Sequence, residues 1–117
     1  MRLDEIAASI QAEIVAPPSS GAAEATRAFA ADRVSDILNA VDGGTLLITN
    51  LVGPQLLRLV ELMEVPGICL LKNARPDAGF LRAATRQGTV VMASGRGMYE
   101  TCGRVYELLG EEGPRAK

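Results

Sequence analysis

The sequence predicts an α/β fold with an open, mostly parallel sheet and helices on both faces. Three observations predict it. Three short apolar runs, Thr45-Leu-Leu-Ile-Thr-Asn50, Gly67-Ile-Cys-Leu-Leu-Lys72 and Thr89-Val-Val-Met-Ala-Ser94, begin 22 residues apart. That spacing is close to the minimum for a strand plus a crossover helix. None of the runs alternates with polar residues, as expected of strands covered by helices on both sides. The segments between them carry helical periodicity, which completes three consecutive strand–helix units on the C-terminal side.

The first element is a helix. Leu3, Ile6, Ala7 and Ile10 fall at i, i+3, i+4 and i+7, one apolar face. Asp4 and Glu5 sit in its first turn, where the helix dipole favours negative charge. A short strand, Glu13-Ile-Val-Ala16, follows. Pro17-Pro18-Ser19-Ser20-Gly21 continues neither element. With Ala22, Ala23 and Glu24 it reads as the most mobile internal segment, a connector or a lid over a ligand.

A strand is expected over Thr26 to Ala31, with Phe29 inward. The next helix opens at Asp32-Arg33-Val34-Ser35, capped by Ser35 or Asp32, and buries Val34, Ile37, Leu38 and Val41. Asp42-Gly43-Gly44 stops it. After the first apolar run, a helix starts near Pro54. Leu56, Leu59, Val60 and Met63 form its sheet-facing side, which leaves Leu57 and Leu62 as surplus. Either the helix is buried on two sides within the monomer, or Leu57 and Leu62 meet another subunit, which makes a homodimer a candidate assembly.

Arg75-Pro76-Asp77 opens the following helix, with Phe80, Leu81 and Ala84 inward and Gln87-Gly88 at its end. The last helix runs from about Met98 to Leu109. Met98, Cys102, Val105, Tyr106 and Leu109 give its apolar face, and Gly110 follows as the C-terminal cap. Residues 1–110 thus read as one domain and 111–117 as a disordered tail.

Composition narrows the function classes. Apolar residues make up 48% of the 117, enough for a core, but aromatics only 3%. The core must be aliphatic, and a base-stacking nucleic-acid surface has little to build on. A net charge of −2 supplies no basic field to draw DNA or RNA. The absence of histidine removes the commonest general base and metal ligand, and with it any Ser-His-Asp or Cys-His set. Cys69 and Cys102 form no CxxC pair and read as buried free thiols, which implies a reducing, cytoplasmic setting. The start has acidic residues at once and no long apolar run, so neither a signal peptide nor a membrane span is expected. Asp32, Asp36 and Asp42 are spaced for capping rather than for Mg²⁺. No metal and no cofactor is expected.

Ligands of open α/β sheets bind beyond the carboxyl ends of the strands. Three loops leave those ends: Asn50-Leu51-Val52-Gly53, Lys72-Asn73-Ala74-Arg75 and Ser94-Gly95-Arg96-Gly97. Parallel strands would gather Asn50, Lys72, Asn73, Arg75, Ser94, Gly95, Arg96 and Gly97 on one edge, beside the free amides of the last helix. Cations next to a glycine-bearing helix start suit a phosphate. The loop Gly95-Arg96-Gly97 is neither a dinucleotide fingerprint nor a Walker A loop, and the alternative is a tight turn with solvated cations.

The order of elements resembles the DRTGG domain, most of all its short stand-alone bacterial members. The resemblance rests on Leu3-Asp-Glu-Ile-Ala-Ala-Ser-Ile10, on Val34-Ser-Asp-Ile-Leu38 running into Gly44-Thr-Leu-Leu-Ile-Thr49, and on Gly67-Ile-Cys-Leu-Leu-Lys-Asn-Ala-Arg-Pro-Asp77. Met92-Ala-Ser94 and the Gly103-Arg-Val-Tyr-Glu-Leu108 helix extend it to residues 1–110. The family's Asp-Arg would fall near Val52-Gly53 and its Thr-Gly-Gly near Leu71-Lys72-Asn73, and this chain has neither. The resemblance implies an accessory regulatory or dimer-forming domain without catalysis of its own. Such domains sit beside cystathionine-β-synthase-type nucleotide sensors in some pyrophosphatases, and in some phosphate acetyltransferases. The fold is also similar to the N-terminal domains of HPr kinase and of the Mur ligases, which in the latter hold a uridine nucleotide. The expectation is a non-enzymatic module that binds a nucleotide or phosphorylated metabolite. An adaptor docking a partner enzyme is the alternative, and a small phosphoryl- or acyl-transfer enzyme a third.

Overall fold

The computed structural model describes residues 1–18 and 23–110. The expected tail, 111–117, and the centre of the Pro17–Glu24 loop lie outside the described residues. The elements are α1 (Leu3–Ile10), β1 (Glu13–Ala16), β2 (Arg27–Ala30), α2 (Val34–Leu38), β3 (Thr45–Thr49), α3 (Pro54–Leu62), β4 (Gly67–Leu70), α4 (Ala78–Gln87), β5 (Val90–Ala93) and α5 (Met98–Leu109).

The five strands form one sheet in the order β1-β5-β4-β3-β2. Strands β2 to β5 are parallel, and their order in space is their order in sequence. β1 closes the other edge antiparallel to β5, with a register shift between Ile14 and Ala16. The side chains of each inner strand alternate between two cores. Leu47, Ile68, Leu70 and Val91 face the layer of α2, α3 and α4. Leu46, Ile48, Cys69, Val90 and Met92 face the layer of α1 and α5. Three successive crossovers in one direction, which share one hand, put α2, α3 and α4 on one face. The return to β1 leaves the other face to α1 and α5.

Most local expectations hold. Leu3, Ile6, Ala7 and Ile10 are all buried. Pro54 opens α3, Asp77 caps α4 by accepting from the Phe80 amide at 2.8 Å, and Gly88 ends α4 with a φ of 81°. The expected strands at Thr45, Gly67 and Thr89 are each shorter by one or two residues, because pairing ends where the loops diverge.

Three expectations are corrected. α2 is only five residues long and has no side-chain cap. Neither Asp32 nor Ser35 caps it. In so short a helix Ile37 points inward with Val41 behind it, while Val34 and Leu38 are exposed. Leu57 is not surplus: it is 5% exposed and belongs to the core beneath α3 and α4, where its carbonyl also accepts from Gln87. Leu62 is 75% exposed. In α5 Val105 is buried as expected, Thr101 is buried beside it, and Tyr106 lies at the margin, largely exposed.

Asp42 locks the entry to β3. Its carboxylate pairs with Arg27, accepts from the Gly44 amide at 2.9 Å and accepts from Thr45 Oγ1 at 3.0 Å. The Arg27 guanidinium, then the Gly44 amide, hold its pKa down at about 2. A depressed carboxylate stabilises the fold above its unfolded pKa, near 4. That contribution should be lost as pH falls from about 4 to about 2. Acid titration of the unfolding midpoint should show this loss, and Asp42→Asn should flatten the profile across that window.

Candidate functional site

Because β3, β4 and β5 are parallel, their carboxyl ends share one edge, and the three expected loops lie along it. The loops then part. The chain leaves β4 toward α4 on one face and leaves β5 toward α5 on the other. Where neighbouring loops depart to opposite faces, a crevice opens between the strand ends. Here that point falls between Lys72-Asn73-Ala74-Arg75 and Ser94-Gly95-Arg96-Gly97. One backbone bond ties the two loops, from the Lys72 amide to the Arg96 carbonyl at 2.9 Å.

The eight expected residues divide by what holds them. Lys72, Asn73 and Arg75 are exposed on the β4 loop. Arg75 turns back and donates to the Lys72 and Ala74 carbonyls at 2.8 and 3.0 Å, which fixes the loop. Among the described residues, Lys72 pairs with no carboxylate. Gly95 and Gly97 are exposed and free of close neighbours, and Gly97 precedes α5 without any side chain capping the helix. The first amides of α5 therefore face the loop region unsatisfied by a side chain.

Ser94 and Arg96 have structural work. Ser94 is buried, its hydroxyl 2.9 Å from that of Thr101, and it accepts from the Arg96 amide at 3.2 Å. The Arg96 guanidinium turns away from the edge. It donates to the Ile10 carbonyl at 2.9 Å and to Gln11 Oε1 at 2.8 Å, and pairs with Glu100 at 2.9 Å. It thus closes the C-terminus of α1, where cations are favoured. Arg96 and Arg104 together hold the Glu100 carboxyl below its ordinary range, Arg104 contributing most.

Asn50 lies at the end of β3 in an acidic setting. Asp32 accepts from Thr49 Oγ1 at 2.9 Å, from the Asn50 amide at 2.7 Å and from Asn50 Nδ2 at 3.1 Å. Desolvation pushes the Asp32 pKa up, but these donors outweigh it and keep the carboxyl ionised well into acid. Asp32 thus places a fixed negative charge at the end of β3, on the side of the edge away from β5. Two residues of this edge escaped sequence reasoning. Asp32 looked like a helix cap, and no local signal places it against Asn50. Thr101 was readable as the i+3 partner of Met98 on the inner side of α5.

The thiols offer no reactive centre. Burial pushes the Cys69 pKa up to about 12 and raises that of Cys102 as well, so neither is a thiolate at neutral pH. Among the described residues, no three acidic or thiol side chains gather to hold a metal. No helix among them is long and apolar enough to cross a membrane.

Fold and edge together define a small α/β domain with a consecutively wound parallel sheet and one antiparallel edge strand. No family model and no curated relative matches the chain. Among solved structures, it is similar to the regulatory region of the Clostridium perfringens pyrophosphatase. That structure comprises the CBS and DRTGG domains in complex with the activator diadenosine tetraphosphate. The TM-score is 0.64 at 12% sequence identity. The match covers 97% of this chain and 47% of the other, so this chain spans about half the length of that regulatory region. At such identity the likeness is one of fold.

Proposed function

We propose that this chain is a DRTGG-related regulatory module without catalysis of its own. It binds a nucleotide or phosphorylated metabolite in the crevice between the ends of β4 and β5. The observation that carries the reading is the departure of α4 and α5 to opposite faces, with Lys72 and the uncapped start of α5 on the two sides of the crevice. An ammonium and converging backbone amides are what a phosphate needs. The neighbouring pyrophosphatase region, which is complexed with a nucleotide activator, supports the same class of ligand. The free thiols of Cys69 and Cys102 fit a reducing cytoplasm. A role as a docking adaptor for a partner enzyme is the competing reading.

Thermal unfolding against mono-, di- and dinucleoside polyphosphates and sugar phosphates tests this. A ligand at 100 times its Kd should add about 2.7 kcal/mol, a shift of several degrees for a domain of this size. Lys72→Glu should abolish that shift while leaving the unliganded midpoint within about 0.5 kcal/mol, since Lys72 is exposed. A shift that survives Lys72→Glu, or no shift with any phosphate compound, would count against the site.

A further inference from the structure

The cations of this protein divide into two sets. Arg2, Arg27, Arg33, Arg96 and Arg104 each pair with a carboxylate. Among the described residues, the cations in no such pair are Arg58, Lys72, Arg75, Arg82 and Arg86. All of them belong to α3, to α4 or to the loop that leads into α4. The acids of residues 51–88 are Glu61, Glu64 and Asp77, so this stretch is net positive on a chain whose net charge is −2. Lys72 and Arg75 stand at the strand ends. Arg58, Arg82 and Arg86 stand on the helices themselves, and all three are exposed.

These three arginines share one surface. Arg58 follows Leu57, whose carbonyl accepts from Gln87 at 3.1 Å, and Gln87 follows Arg86. That bond holds α3 and α4 side by side. Arg82 and Arg86 lie one turn apart on α4, where like charges repel. A carboxylate one turn before Arg82 would pair with it, but Ala78 and Gly79 occupy those places. α5 shows the alternative, since Glu100 there takes both Arg96 and Arg104. α4 leaves that increment of stability unused, as proteins do where function needs the surface.

We infer that the outer face of α3 and α4 docks an acidic segment of a partner protein that also carries aliphatic side chains. Guanidinium forks bind carboxylates bidentately, and arginine is enriched in protein interfaces. Beside them, Leu81 and Thr85 line a shallow, largely apolar hollow with Arg82 and Arg86. Carboxylates for the arginines and an aliphatic side chain for the hollow occur together in a polypeptide and not in a phosphate compound.

Other occupants fit less well. A membrane needs an apolar face to receive, and both helices turn theirs to the sheet. A nucleic acid would meet a chain of net negative charge, and Phe80, the aromatic residue of these helices, is buried. A second copy brings Asp4, Asp36, Asp42 and Glu100 already paired with arginines. Residues 111–117 balance Glu111 and Glu112 with Arg115 and Lys117, and they follow α5, which packs on the opposite face of the sheet.

Fluorescence anisotropy at about 0.15 M salt tests the assignment. The probe is a labelled peptide of glutamates with interspersed leucines, compared with its glutamine counterpart, phosphatidylserine vesicles and duplex DNA. The glutamate peptide should bind, and added salt should weaken it. Arg82→Glu should weaken binding at least about tenfold. The same variant should unfold at or above the parent midpoint, because its carboxylate would stand four residues before Arg86, as Glu100 stands before Arg104. Arg33→Glu makes an equal change of net charge at an exposed position before α2 and should leave binding unchanged. An unbound glutamate peptide, a loss in Arg33→Glu equal to that in Arg82→Glu, tighter binding of vesicles or DNA, or self-association that Arg82→Glu abolishes would overturn the inference. None of these outcomes involves Lys72, so they stand apart from ligand binding at the strand ends.

Discussion

Replacing Ile68 by alanine should cost about 2–5 kcal/mol, among the largest losses expected of a single substitution in this protein. Ile68 lies at the middle of β4, the central strand, with none of its surface exposed. It faces the α2–α3–α4 layer with Leu47 and Val91 as its neighbours across the strands. The sheet fixes its backbone on both sides, so the vacated volume cannot collapse, and the cavity penalty adds to the lost transfer energy. A domain of this size is stable by only roughly 6–18 kcal/mol. Urea unfolding should therefore show a markedly lower midpoint at an unchanged slope. The exposed counterpart, Leu62→Ala, should stay within about 0.5 kcal/mol of the parent. A loss at Ile68 no greater than at Leu62 would contradict the packing described here.

The second large effect is expected at Gly67, from overfilling rather than emptying. A Cβ at this position would lie 2.6 Å from Leu3 Cδ1 and 3.3 Å from the Val90 carbonyl oxygen. Leu3 is buried among the α1–α5 core residues, and Val90 is the paired residue of β5, so neither can withdraw freely. Gly67→Val should destabilise by about 1–3 kcal/mol through displaced side chains and strained pairing. Leu3→Ala in the same chain should recover part of that loss, since the two sites share one space. Strict additivity of the two substitutions would show that the close approach of α1 to β4 is not the cause.

Both predictions bear on the ligand site proposed at the strand ends. β4 carries Lys72 two residues beyond its end, and its neighbour β5 leads into the Gly95–Gly97 turn. Loosening of the central strand should therefore reach any ligand held there, which gives the pair of variants a second use as controls for Lys72→Glu.

The sequence by itself determined the strand–helix alternation, the three parallel strands and the faces that α1 and α4 bury. These are local properties. The 22-residue spacing leaves room for one helix and no more, and the i, i+3, i+4, i+7 pattern of Leu3, Ile6, Ala7 and Ile10 states which side meets the sheet whatever the sheet turns out to be. The tertiary structure decided the rest. β1 runs antiparallel against β5, and β2 lies at the far edge, because pairing partners depend on where the whole chain returns and not on the four residues that pair. Leu57 is core because Gln87 and α4 close over it. Arg96, an anion ligand by its place beside two glycines, is drawn to the end of α1, 86 residues away along the chain. Tyr106 fits the helical period of α5, yet β2 is too narrow an edge to cover it. In each case the residue's type and spacing allowed two environments, and the choice was made by a surface that no neighbouring part of the sequence encodes.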